Sequence, residues 1–251
     1  MDDARLNEDA YEIIENGRDS PWLIACDHAS NRVPEALGGT LGLPPDDMAR
    51  HIAFDLGAAG VARALAASLS APTILSRFSR LVIDPNRGED DPTLIMQVYD
   101  GTIVPGNRDL TQEARLERLD RWYRPYHAAY AERAGRRGDT LIVAVHSFTP
   151  RLLGRAPRPW HLGILFDPSD ERLSRPFLYR LHAEEDLVVG ENEPYAGHLA
   201  GDAIDRHGLT QGRPNVLIEL RHDLIATAEA QQAWAARFAP LLEAARKDAK
   251  L

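Results

Sequence analysis

The chain has a single cysteine, three methionines and scarcely any lysine in 251 residues. One cysteine excludes an internal disulfide. Cys26 sits in an apolar run with no motif of a nucleophile around it, so it reads as a small buried filler compatible with a reducing compartment. No basic-then-apolar leader opens the segment Met1 to Pro21, and no apolar run approaches the length of a membrane span. A soluble cytoplasmic protein is the expectation, with residues 1–20 a polar extension of one domain spanning 1–251. An excess of positive charge is also missing: the net charge is -9 and the pI about 5.5, which argues against a nucleic-acid surface. There is no phosphate-cradling glycine loop and no serine elbow of the hydrolase type. What cation there is comes almost wholly as arginine, so a local cationic pocket can exist inside an acidic chain.

Short β-branched or apolar runs at Trp22–Cys26, Leu141–Val145 and Val216–Leu220 predict strands buried on both faces. Thr73–Leu75, Leu81–Ile83, His161–Phe166 and Leu187–Val189 predict more. Between them, Asp46–Ser70 carries Ile52, Leu56, Ala59, Leu65 and Leu69 at the spacing of an amphipathic helix. Leu110–Arg136 repeats the pattern, with Pro125 expected to kink or break it, and Ala228–Asp248 is a third long helix. Strands alternating with helices indicate an α/β sandwich whose largely parallel sheet is covered on both faces. Gly88–Asn107 and Leu152–Trp160, rich in proline, glycine and charge, read as long loops over a site.

Four polar clusters fall where strands should end: Asp27-His28-Ala29-Ser30-Asn31, Asp84-Pro85-Asn86-Arg87, His146-Ser147-Phe148 and Glu219-Leu220-Arg221. Strand ends in open α/β sheets converge on one edge. Two histidines meeting there suit zinc, with Asp27 or another carboxylate as ligand or as partner of a ligand. Asp55, Asn31 and Asp27 compete for the third ligand position. Asp55 is chosen, because an acidic residue on an apolar helix needs a partner if buried. His51, four residues earlier on the same helical face, is an alternative partner for it.

Glu219 interrupts an apolar strand, where a carboxylate is costly without a cation or metal nearby, and it is the candidate general base. Its competing role is an ion pair with Arg221. Asn86 and Arg87 suit a bidentate grip on a substrate carboxylate, which implies an acidic substrate. Arg80 can polarise a scissile carbonyl, while Asp84 and Pro85 read as turn material. In the polar stretch Glu191–His198, Asn192 and Tyr195 are candidates for substrate contact, and Arg221 joins them.

Taken together, these segments resemble the N-formylglutamate amidohydrolase family, related to the zinc carboxypeptidases and the succinylglutamate desuccinylase and aspartoacylase group. The resemblance spans roughly Pro21 to Ile225. It rests on the first cluster, on Ser79-Arg80-Leu81-Val82-Ile83-Asp84-Pro85-Asn86-Arg87, on Gly190-Glu191-Asn192-Glu193-Pro194-Tyr195 and on Glu219-Leu220-Arg221-His222-Asp223-Leu224. It implies a three-layer α/β/α sandwich around a mixed sheet, of the zinc-exopeptidase type among phosphorylase/hydrolase-like folds. It also implies one zinc ion per chain and hydrolysis of a formyl or acyl amide on a small acidic amino acid, as in histidine breakdown. In that reading Asn86 and Arg87 look like the carboxylate-binding pair and Glu219 like the catalytic glutamate. Asn31 departs from the carboxypeptidase relatives, which carry a metal-binding glutamate there. A chain that kept the carboxylate grip and lost the metal would instead be a binding module for an acidic metabolite.

Overall fold

The computed structural model describes residues 10–15, 19–197 and 199–251. Nine strands are found there: β1 Tyr11–Glu15, β2 Trp22–Cys26, β3 Pro72–Ser76, β4 Val98–Tyr99, β5 Thr102–Ile103, β6 Leu141–Phe148, β7 Leu162–Leu165, β8 Val189–Glu191 and β9 Asn215–Arg221. Seven form one sheet in the order β1-β3-β2-β6-β9-β7-β8, and β4 and β5 make a separate hairpin. The central pairings β3/β2, β2/β6 and β6/β9 are parallel, as is β7/β8. The pairings β1/β3 and β7/β9 are antiparallel. The sheet is therefore mixed and mostly parallel.

Alternation along the strands sends side chains into two cores. Trp22, Ile24, Val143, Val145, Val216 and Ile218 pack on one face with the helices α2 Ala58–Ser68, α5 Ser174–His182 and α7 Ala228–Asp248. Leu23, Ala25, Ile142, Ala144 and Leu217 face the other side, where Trp122, Tyr126 and Tyr130 cover them. Tyr126 and Tyr130 belong to α4 Arg124–Ala134, which follows α3 Gln112–Arg118. With both sheet faces covered, each fully buried Leu or Ile contributes about 1.5–3 kcal/mol. The residues His146 and Glu219 continue the second face of β6 and β9.

Several local expectations are corrected. The stretch read as one helix from Asp46 to Ser70 is two, α1 Pro45–Met48 and α2, joined by turns. Gly57 caps α2 at φ 79°, and a Cβ there would lie 2.4 Å from Ile225 O. Asp55 thus lies in a connection, not on a helix face, and His51 does not reach it; His51 Nε2 lies 3.4 Å from Asp100 Oδ2. Leu81–Ile83 is fully buried but turns instead of pairing. Pro125 does interrupt its helix: a π turn at Leu119–Tyr123 absorbs the break, the Arg124 amide reaching back to Leu119 O.

The polar N-terminal stretch supplies a strand within what reads as an extension. In β1 Ile14 faces one core and Tyr11 and Ile13 the other, with Glu12 and Glu15 on the outer edge strand. Residues 1–9 and 16–18 of that extension, and His198 of the Glu191–His198 stretch, lie outside the described residues. Gly88–Asn107 is more than loop: it holds the β4/β5 hairpin, pinned by Asn107 Nδ2 donating to Leu81 O at 2.8 Å and Met96 O at 2.7 Å.

Candidate active site

His28 follows β2 by two residues, whereas His146 and Glu219 lie inside β6 and β9 as direct neighbours in the parallel register. The Asp55 amide donates to His28 O at 3.0 Å, tying the connection before α2 to the end of β2. These placements bring His28, His146 and Asp55 together, with one ligand atom from each inside 4.8 Å of the others. His28 Nδ1 and His146 Nδ1 lie 3.2 and 2.9 Å from Asp55 Oδ2, which also accepts from the Ser147 amide at 3.2 Å. All three side chains are buried.

The far nitrogens of both rings are held by carboxylates. His28 Nε2 is 2.7 Å from Asp84 Oδ1, and His146 Nε2 is 3.0 Å from Asp27 Oδ2. Asp27 in turn accepts from Tyr126 OH at 2.7 Å. Asp84 Oδ2 accepts from Arg80 Nε and Nη2 at 3.2 and 2.7 Å, and Arg80 Nη1 reaches Asp55 Oδ1 at 3.4 Å. An imidazole whose Nε2–H is held by a carboxylate presents a lone pair on Nδ1 once a metal displaces the proton it shares with Asp55. Two such nitrogens with one carboxylate oxygen are the donor set of a catalytic zinc site that keeps a position open. The residues fit a metal.

The electrostatics follow from burial among these charges. Burial alone would raise the Asp55 carboxyl, but His28 and then His146 hold it well below the usual carboxylate range. Asp84 is likewise held low against its burial, by Arg80 and then His28. Burial would lower the His146 imidazole, yet its hydrogen bonds to Asp27 and Asp55 raise it well above its ordinary value. Glu219 differs. Burial pushes it up to about 7 against the opposing pull of His146, and its Oε2 has no hydrogen-bond partner. The ion pair with Arg221 is not formed, because Arg221 Nε donates to Asp223 Oδ1 at 2.8 Å and Nη1 to Trp160 O at 3.3 Å.

A cavity of about 420 Å³ opens over this cluster. His28, Asp55, His146 and Glu219 lie along its wall, with Arg80, Asn86, Arg87, Tyr99 and Tyr195 around them. Arg87 spends Nε on Thr93 Oγ1 and Nη1 on Asn86 O, and bonds to no carboxylate among the described residues. Asn86 Oδ1 accepts at 3.2 Å from the Ala203 amide at the start of α6 Ala203–His207, so the amide group that remains to Asn86 for a ligand is its Nδ2 donor.

Three expected candidates lie elsewhere. Arg221 is outside the cavity lining, on Asp223. Asn192 is too: its Oδ1 accepts from the Phe166 amide at 2.9 Å and shapes the backbone. Asn31 donates to Met48 O at 2.9 Å. Sequence reading missed Asp84, taken for turn material. It is in such a turn, accepting from the Asn86 amide at 2.9 Å, while also holding His28 and Arg80. Tyr126 and Tyr99 carried no signal beyond aromatic content.

The family model of N-formylglutamate amidohydrolase matches residues 20–226, which span every residue of this cluster. The chain belongs to that family. As an N-formylglutamate amidohydrolase family member it is indicated to be an amidohydrolase, and the matched region leaves out only β1 and α7 among its longer elements. A gene product of Agrobacterium tumefaciens of solved structure is 33% identical, with a TM-score of 0.91 and 99% of each chain covered. An N-formylglutamate amidohydrolase from Ralstonia eutropha JMP134 superposes at a TM-score of 0.68 with 23% identity, over 96% of this chain and 99% of that one. A metallo-carboxypeptidase from Pseudomonas aeruginosa gives a TM-score of 0.44 at 16% identity, over 97% of this chain and 68% of that one. No curated protein matches the sequence.

Proposed function

We propose that the chain hydrolyses the amide of an N-acylated acidic amino acid, with N-formyl-L-glutamate, giving formate and L-glutamate, as the substrate the site suits best. The observation that carries this reading is the unpartnered Oε2 of Glu219 beside His146, facing a cavity that also presents Arg87, whose hydrogen bonds go only to neutral acceptors. His28, His146 and Asp55 would hold one zinc ion. When bound, zinc supplies Lewis-acid polarisation of the carbonyl and a lower pKa for water.

The chain's own groups do the rest. Glu219 takes a proton from the attacking water as the water oxygen bonds to the acyl carbon, then delivers it to the nitrogen as the C–N bond breaks. Its raised pKa suits both directions of transfer near neutrality. Three of Arg80's five N–H groups are committed to Asp84 and Asp55, so the remaining hydrogens on Nη1 and Nη2 stay available to the oxyanion. Asn86 Nδ2 and Arg87 hold a substrate carboxylate. A glutamate-releasing reaction of this kind belongs in amino-acid breakdown, that of histidine included, and in a cytoplasmic setting. No helix among the described residues is long and apolar enough to cross a membrane.

The test is elemental analysis of tag-free protein alongside a formate-release assay on N-formyl-L-glutamate. About one zinc per chain, lost in His28→Ala/His146→Ala together with formate release, is the expected result. A wild type that takes up no metal when zinc is supplied and releases no formate, yet binds acidic metabolites, would be a binding module instead.

A further inference from the structure

The cavity's cations are unequally committed. Arg80 is neutralised by two aspartates, while Arg87 meets only neutral acceptors. Just beyond the lining, on the stretch between β6 and β7, Arg158 is in the same position. Its Nη1 donates to Thr149 O and to Tyr195 Oη, both at 3.1 Å, and no carboxylate partner is found for it among the described residues. In a chain of net charge -9 that is a conspicuous omission. The guanidinium lies over two aromatic rings, 5.0 Å from the Tyr195 centroid and 5.5 Å from that of Phe148. Such stacking fixes its plane, and its hydrogen bonds to the described residues run through Nη1, leaving Nε and Nη2 for a ligand.

Tyr195 lines the cavity and is 40% exposed. Because its oxygen accepts from Arg158, its own hydrogen is directed away from that bond and can be donated to a ligand. Arg158 and Tyr195 therefore present a second set of anion donors at the rim, separate from the Asn86 and Arg87 pair within.

We propose that Arg158, together with Tyr195, binds the second carboxylate of a dianionic substrate, so that the enzyme selects N-acyl dicarboxylic amino acids over those with neutral side chains. This rests on the amide-hydrolase reading for its substrate frame. The geometry makes Arg158 a specificity-determining residue: Arg87 takes one carboxylate and Arg158 the other. Two cationic donor sets match the charge of a dianion and leave one set without a partner when the ligand is singly charged.

The experiment compares N-formyl-L-glutamate, N-formyl-L-glutamine and the α-amide of N-formyl-L-glutamate in the wild type, Arg158→Gln and Arg158→Lys. In parallel, calorimetry measures glutarate and its monoamide, which need no turnover. The wild type should prefer the dianion by about 10-fold or more in kcat/KM, the order expected of a charge-assisted hydrogen bond. In Arg158→Gln the preference over one of the two amides should collapse to within about twofold, through KM, and Arg158→Lys should restore part of it. Glutarate should lose its advantage over the monoamide in the same variant. A wild type indifferent to the second charge, or an Arg158→Gln variant that keeps the preference, overturns the proposal. Glutarate binding that depends on Arg158 without any amide cleavage would uphold it while refuting the hydrolase reading.

Discussion

Asp84→Asn tests the arrangement most sharply, because one carboxylate serves two parts of the site. Its Oδ1 holds His28 Nε2 at 2.7 Å and its Oδ2 holds the Arg80 fork at 2.7 and 3.2 Å. Asparagine keeps the shape and one acceptor but removes the charge and turns a donor toward one of these two donors. Breaking one side of a buried ion pair costs about 3–5 kcal/mol. Arg80 retains Asp55 at 3.4 Å, so the loss in unfolding free energy should fall near the lower end, about 3 kcal/mol. Loosening a histidine that ligates metal typically weakens affinity about 10- to 100-fold, or roughly 1.4–2.7 kcal/mol. Urea unfolding of the metal-free protein measures the first quantity, and competition with a zinc chelator the second. Formate release should fall further than metal loss alone explains, since saturating zinc restores the ligand but not Arg80's position. Unfolding free energy within about 1 kcal/mol of wild type and zinc affinity within about twofold would show that Asp84 is turn material only.

Glu219→Gln should lower formate release about 10²- to 10⁴-fold at unchanged or slightly higher melting temperature, since a neutral isostere replaces a buried carboxylate with an unpartnered oxygen. More than a tenth of wild-type turnover would remove Glu219 as the base. Gly163 lies opposite Glu219 across the antiparallel β7/β9 pair, and a Cβ there would fall 1.8 Å from Glu193 O. Gly163→Ala should therefore displace the loop bearing Tyr195 and raise KM about 10-fold or more; a wild-type KM would refute that packing constraint. Burial lowers His207 to about 4, below its value of about 6.5 when unfolded, so the unfolded chain binds the proton first. Stability should fall as pH drops from about 6.5 to 4, by about 3 kcal/mol from this group. Denaturant midpoints of wild type and His207→Gln across that window check it, and parallel pH profiles would refute it.

The central strands and α7 were legible because each is a short β-branched run or a sustained helical period. The failures have specific causes. Asp46–Ser70 keeps a helical apolar pattern through turns because Ile52 and Ala53 are buried by neighbouring segments, and only Gly57 marked the true start of α2. Leu81–Ile83 looks like a strand because burial selects the same residues that a sheet does. β1 went unseen because its glutamates suit an exposed edge and an extension equally. In the site, His28, His146, Asp55 and Glu219 meet as the sequence suggested, since polar residues at or beside apolar strand ends are costly without a purpose. Asp84 was hidden by an ordinary turn composition. Asn192 and Arg221 stand outside the cavity lining, where the Phe166 amide holds Asn192 Oδ1, and Asp223 and Trp160 O hold Arg221 Nε and Nη1.

His146 and Glu219 project from adjacent paired strands, whereas Arg87, Arg158 and Tyr195 stand on connections. A strand in mid-sheet cannot shift without breaking its ladder, but a connection tolerates insertion and exchange. On the proposed reading, the groups that break the bond and the groups that choose the substrate are thus separately heritable. On that reading, libraries confined to residues 86–99, 151–160 and 192–200 should redirect it toward other acyl amino acids while His146 and Glu219 stay in place.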